Sequence, residues 1–557
     1  MKIYLGALKK KAYYLRPWQQ LQAGLALTWL AGCGGREGGN EAGFIAPYDA
    51  PKGSYTPPNS ADPNFNALNV EFIQPYWTSS LLMGGSQQVI APLLSEYTRV
   101  IEYSFPQTQP PYAQLEVQGW QPATLAMQVA SRQIFENLEE YLNVTFIEVD
   151  DPVDMNVVTL GTSYQPATLG FAYFPSMDFE IGMDVFISDD YSDPRFVSAG
   201  ITNYDFEILL HEIYHGLGLK HPFHADGDND SVLSSREATS TYTVMSYNVI
   251  PSTFSGDARE LDLMALTETY GVNPSFNSED DVYTFSSASG VFIIDGGGAD
   301  SIRYDGASAA YVDLRSGAHS YLGAKSVYIT SANQLTISAG SSIENAITGV
   351  GNDIVIGNAL SNIINTGEGD DRIFAGEGQD VVLSGLGADI IDLSEDVQAR
   401  DIIHFFNDGL SDEADVIYSF AQGVNGDCID FGDFLLGITI FLPLVDVEEV
   451  PSVNISNAVL RVFGSNLDTS EDVVTALATN GRLGAFEFPE QTNAILICAD
   501  TQNTGAEQRI FAASNSAGLG LNNAYFDASG YYGIRFFSSL ATVGSQTERM
   551  RITNTGN

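Results

Sequence analysis

Between residues 131 and 144 the chain reads SRQIFENLEEYLNV, with apolar Ile134, Leu138 and Leu142 four residues apart. That spacing puts them on one stripe of a helix. TFIEVDD and MNVVTLGTS follow with strand-like alternation, and GFAYFP (170–175) and MDVFIS (183–188) read as two further strands. FEILLHEIYHGLGL (206–219) returns to helical period, with Gly216 or Gly218 as its stop. Together these runs predict an α+β unit, a twisted sheet with two long helices, over residues 86–275.

Beyond residue 290 helical periodicity vanishes while glycine and aspartate rise together. From 348 the chain divides into TGVGNDIVI, GNALSNIIN, TGEGDDRIF, AGEGQDVVL and SGLGADIID, nine residues each, with an isolated copy, DGGGADSIR, at 295–303. Each block has a turn half, x-G-x-G-x-D, and an apolar strand half. A strict short period predicts a solenoid. From about 400, β-type runs continue to the end without a motif that carries chemistry.

The chain has 557 residues, more than one core accommodates, so several units are expected. It carries 70 acidic against 24 basic residues, a net charge of −46, which excludes a nucleic-acid partner. So large an acidic excess calls for bound calcium or a saline exterior. With 44% hydrophobic and 11% aromatic residues, folded domains rather than disorder are expected. The three cysteines, Cys33, Cys428 and Cys498, make no disulfide framework; pairing of the last two and two buried thiols both remain open.

At the N-terminus Lys9, Lys10, Lys11 and Arg16 precede a short apolar run, LQAGLALTWLAG (21–32). The run is too short to span a bilayer as a helix. It ends in LAGC, which resembles the bacterial lipobox, so Cys33 is expected to be the acylated first residue of the mature chain. GGREGGNEAG then supplies a flexible tether, and Gly34 after the cysteine fits an outer-membrane destination.

Three of the six histidines lie in HEIYHGLGLKHP (211–222). His211 and His215, four apart on a helix, share one face and can reach one ion. Glu212 can hold a water at that ion. Gly218 lets the chain turn back so that His221 closes the site. Three imidazoles with an open position form the pattern of catalytic zinc.

With TYTVMSYN (241–248), this segment resembles the serralysins, secreted bacterial zinc proteases of the metzincin clan. Pro222 after the third histidine matches, Met245 corresponds to the Met-turn, and LDLMALTETYGVN (261–273) resembles the closing helix. The resemblance covers about 90–400. It implies peptide hydrolysis, with Glu212 as general base and Tyr247 as a zinc ligand at rest that swings to the tetrahedral intermediate. It further implies an edge strand near Gly170–Tyr173 that binds extended peptides. Tyr214, Gly216 and Asn248 depart from the family pattern, which bears on pocket shape more than on zinc. An N-terminal signal and the polar ending ERMRITNTGN also depart from it, and suggest a lipid-anchored variant sent by general export.

The nonapeptides resemble the RTX repeat, which forms a parallel β-roll around calcium. Asp353, Asp371, Asp380 and Asp389 hold the ligating sixth position, Asn362 replaces it in the second block, and Asp300 holds it in the isolated copy. ADGDNDSVLSSRE places Asp226, Asp228, Asp230 and Glu237 at EF-hand spacing, but Ser231 stands where that loop needs glycine. A solvated acidic loop is expected there, with His224 on the surface.

The expected layout is a lipoprotein signal (1–32), a tether or pro-segment (33–85) and a zinc protease domain of metzincin α+β type (86–275). An RTX β-roll (276–400) and a β-rich C-terminal domain (401–557) complete it. The function expected is a calcium-stabilised zinc endopeptidase acting on proteins or peptides, secreted or held at the cell surface through Cys33. The alternative is an inactive calcium-binding surface adhesin.

Overall fold

The computed structural model describes residues 75–404 with short breaks, the longest at 190–202, together with residues 31–33, 415–421 and 427–430 and six strands between 440 and 537. The signal run 1–30, the tether 34–74, Asp228 and the last residues, 538–557, lie outside the described residues. Cα packing divides the chain into two units, one that contains Tyr76–Tyr270 and one that contains Gly271–Asn557.

The first unit is a mixed sheet with helices. Its strands are β1 (Ala31–Cys33), β2 (Val100–Ser104), β3 (Gln121–Pro122), β4 (Thr145–Glu148), β5 (Val158–Ser163), β6 (Gly170–Ala172) and β7 (Val185–Ser188). They lie in the order β1-β6-β7-β5-β2-β4, with β3 on β5. The pairs among β7, β5, β2 and β4 are parallel, whereas β6 runs antiparallel to β7 and β1 antiparallel to β6.

The helices are α1 (Tyr76–Ser79), α2 (Ser86–Leu93), α3 (Leu125–Tyr141), α4 (Asn203–Gly216) and α5 (Glu260–Tyr270). The periodicity over 131–144 becomes α3, which begins earlier because the Thr124 hydroxyl accepts the Met127 amide at 3.2 Å, a side-chain N-cap. Its Met127, Ile134, Phe135 and Leu138 are buried, and Phe135 stacks on Phe146 of β4 at 4.7 Å. α4 is buried on nearly every side, its polar residues included: Leu209, Leu210, Ile213 and Tyr214 are buried, and so are Asp205, Glu212 and His215. The segment before α2 is part of this unit. Leu81 and Met83 hydrogen-bond the backbone at Lys220 and Gly218, and α1 packs on α5. Among the described residues no helix is long and apolar enough to cross a membrane.

The second unit is built of short strands and is consistent with a β-roll. One sheet stacks Val282–Thr284, Ser301–Arg303, Asn345–Ile347, Ile363–Asn365, Val381–Leu383, Ile402–His404 and Cys428–Asp430, all parallel. The other stacks Ala310–Asp313, Ile354–Ile356, Arg372–Phe374, Ile390–Asp392 and Asp415–Tyr418, also parallel. Within the repeats, partners such as Ile354 and Arg372 are two nonapeptides apart, so successive blocks alternate between the sheets.

In each triplet the middle residue points inward: Ala346, Ile364, Val382 and Ile403 meet Val355, Ile373, Ile391 and Ile417 in one buried stack. Each such side chain contributes about 1.5–3 kcal/mol of apolar burial, so every added turn extends the core. The roll runs on past residue 400, and Tyr532–Phe537 pairs with Asp415–Tyr418, adding the described C-terminal strands to the second sheet.

Candidate metal centres

α4 carries His211, Glu212 and His215, and the left-handed Gly218 (φ 99°) ends its last turn and sends the chain back toward them. The three imidazoles meet. The Nε2 of His221 is 3.3 Å from that of His211 and 3.1 Å from that of His215, and all three side chains are buried.

The other ring nitrogens decide what this contact means. Nδ1 of His211 lies 2.6 Å from the Val244 carbonyl and Nδ1 of His215 lies 2.6 Å from the Leu219 carbonyl. A carbonyl only accepts, so both Nδ1 atoms carry protons and both Nε2 atoms present lone pairs. Burial holds His211 down to about 4, and burial with neighbouring imidazoles holds His215 and His221 well below the ordinary histidine value. Neutral imidazoles with convergent lone pairs suit a cation. Two ligands at zinc's ~2.0–2.1 Å in tetrahedral geometry stand ~3.3–3.4 Å apart. The donor set fits Zn2+.

Glu212 is fully buried beside β6. A Cβ placed on Gly170 would lie 2.7 Å from Glu212 Oε1, so only glycine admits that carboxylate. Met245 is fully buried, its amide bonded to the Thr243 hydroxyl at 3.0 Å. The Tyr247 ring, 41% exposed, stands 4.6 Å from the His221 ring and 6.1 Å from that of His211. The three imidazoles and the Tyr247 ring are thus brought together.

Supporting residues escaped the motif reading. Phe223 stacks on His221 at 5.3 Å, and Phe174 meets His215 edge-on at 5.4 Å. Asp262, buried on α5, accepts the Thr243 hydroxyl at 2.6 Å and the Val244 amide at 2.7 Å. Only its place in the stretch resembling a closing helix hinted at it.

The acidic loop after His221 is pinned from within. Lys220 Nζ donates to the carbonyls of His224 and Ser231 at 2.7 and 2.8 Å. Asp226 accepts the amides of Gly84 and Asn229, and Glu237 is buried against the Tyr76 hydroxyl. The loop is thus bonded into the unit at Asp226 and Glu237, while Asp230 is exposed, as is His224.

In the roll the aspartates form two columns. The amides of Ala310, Asp353, Asp371 and Asp389 donate to Oδ1 of Asp353, Asp371, Asp389 and Asp415 in turn, at 2.7–2.9 Å. The second column runs from Asn362 through Asp380 and Asp401 to Asp427. In Asp353, Asp371, Asp380, Asp389 and Asp401 the second oxygen is buried with no hydrogen-bond partner. Burial pushes Asp371 and Asp401 up to about 8 and Asp380 up to about 7. Stacked carboxylates with one oxygen spare fit Ca2+.

Asp300 lies with Asp281 and Asp295 in a cluster whose ligand atoms are within 4.8 Å of one another, and its Oδ2 is also buried and unsatisfied. Asp281, Asp295, Asp401, Asp415 and Asp427 were missed because irregular spacing hides them. Along the column the step grows from 18 residues to 21 and 26.

Comparison with known proteins agrees with both centres. Residues 356–391 match the RTX calcium-binding nonapeptide repeat, in four copies. The chain is 28% identical over 303 residues to Serralysin of Proteus mirabilis, covering 47% of this chain and 60% of that one. It is 30% identical over 288 residues to Metallopeptidase AprA of Pseudomonas marginalis (45% and 57%). To Metalloprotease AprA of Pseudomonas entomophila it is 32% identical over 197 residues (30% and 39%). The chain spans at most 60% of the length of these relatives. Sheets, site and relatives together define a likeness to the serralysin-type metalloproteases that carry RTX repeats. That is the resemblance the motifs implied.

Proposed function

We propose that the protein is a calcium-stabilised zinc endopeptidase that hydrolyses peptide bonds in extracellular proteins. The observation that carries this reading is the convergence of the His211, His215 and His221 Nε2 atoms, two of them on the helix that also carries the buried Glu212. Bound there, zinc would supply a Lewis acid and a water of pKa near ~7.

The chain's own residues do the rest. β6 offers its edge to an extended substrate, and main-chain pairing there sets the scissile carbonyl beside Glu212. Glu212 takes the proton from the attacking water and delivers it to the leaving amine. Tyr247, half exposed beside the imidazoles, donates its hydroxyl to the developing oxyanion. The metzincin α+β fold is part of this proposal, supported by α4, α5 and the mixed sheet. So is a surface location, with Cys33 acylated as a membrane anchor after signal cleavage.

Casein hydrolysis and metal content test the reading together. Glu212→Gln should keep its zinc and lose roughly 10²–10⁴-fold in rate. Wild-type protein that binds zinc yet cleaves nothing would favour the alternative of an inactive calcium-binding surface protein.

A further inference from the structure

β6 lies beside α4, and its far side is where an extended peptide would pair. The chain itself fills that side. Ala31, Gly32 and Cys33 run antiparallel to β6, in register with Ala172, Phe171 and Gly170. Gly170, opposite Cys33, is the residue whose α-carbon leaves no room for a side chain beside Glu212. The backbone around the Gly32–Cys33 bond thus runs along the strand that would align a substrate with the catalytic carboxylate.

We propose that residues 31–33 are a built-in occupant of the substrate strand, which keeps the unprocessed chain inactive until the export signal is removed. This rests on the zinc-peptidase reading and on LAGC as the signal junction. Cleavage would be hydrolysis by a membrane signal peptidase. Water adds across the Gly32–Cys33 bond, leaving a carboxylate on Gly32 and an amine on Cys33. Ala31 and Gly32 then depart with the signal, and two of the three paired residues are lost. Insertion into a bilayer acts in the same direction, because the apolar run 21–32 cannot lie in lipid and on β6 together. A three-residue pair is a weak latch, readily released by either event.

The test compares the uncut full chain, its Ala31→Pro variant and the processed chain beginning at Cys33. Each is loaded with zinc and calcium and checked for metal content and melting temperature. Ala31 lies opposite Ala172, one of the β6 residues whose polar groups face away from β7, so proline at 31 removes an amide of the pair and disfavours strand pairing there. With a quenched fluorescent peptide as substrate, the processed chain should be at least about ten-fold faster in kcat/KM than the full chain, and Ala31→Pro should recover most of that difference. Amide exchange at Gly170 and Ala172, whose amides face away from β7, should be slow in the full chain alone. Equal rates, or equal exchange, in the full and processed chains overturn the proposal. No hydrolysis by any form, with exchange still slow only in the full chain, overturns the peptidase reading and leaves the occupied strand standing.

Discussion

The Asp262 carboxylate holds the Val244 amide at 2.7 Å, and the carbonyl of the same Val244 holds Nδ1 of His211 at 2.6 Å. A buried acid on α5 therefore orients an imidazole on α4 through one residue of the 243–247 turn. A ligand whose second nitrogen is held in this way keeps its tautomer and its aim.

Asp262→Asn should leave the fold in place and weaken zinc binding about 10–100-fold. The amide has one oxygen where the carboxylate has two, so either Thr243 or Val244 loses its acceptor. Chelator competition with a zinc dye would measure the change. Unchanged affinity would mean that the turn is held without Asp262.

Gly170→Ala tests the contact with Glu212 from the strand side. The added methyl would lie 2.7 Å from Oε1, so the carboxylate must move by more than half an ångström. A displacement of that order costs up to ~10²-fold in rate. Zinc content should be unchanged, because the three atoms nearest the added methyl all belong to Glu212 and none to an imidazole. A variant of normal kcat would show that Glu212 has room to spare.

The roll should respond to acid in opposite senses with and without calcium. Burial raises Asp371 and Asp401 to about 8 and Asp380 to about 7. Against an unfolded value of ~3.9 the metal-free roll therefore binds extra protons on folding. Their stabilising contribution is complete below ~3.9 and is lost as pH rises through 7 to 8. Calcium needs the ionised form, so saturating calcium should make the roll more stable at pH 8 than at pH 5. Circular dichroism melts at both pH values, with calcium and with chelator, would show the order reverse. The same order in both conditions would remove the calcium assignment.

Asp401→Asn should lower bound calcium as Asp371→Asn does, although only Asp371 lies within the matched repeats. Both keep an oxygen for the amide of the preceding rung and lose the charge. Metal analysis of the purified variants distinguishes a ligand from a bystander, since a bystander leaves the calcium count at the wild-type value.

What could be read along the chain was whatever repeats at a fixed local spacing. His211 and His215 had to share a helix face, and the nine-residue period had to build stacked strands, because helix and strand geometry turn sequence separation directly into direction in space. The sequence by itself therefore determined the three imidazoles and the aspartates of the regular turns. Only the tertiary structure decided the placement of Gly170 against Glu212 and of Asp262 behind His211, and the continuation of the carboxylate column through Asp401, Asp415 and Asp427. It also placed the 31–33 strand on β6. These pairs come from different elements, or from turns of unequal length, so no periodicity encodes them. Packing alone brings them together.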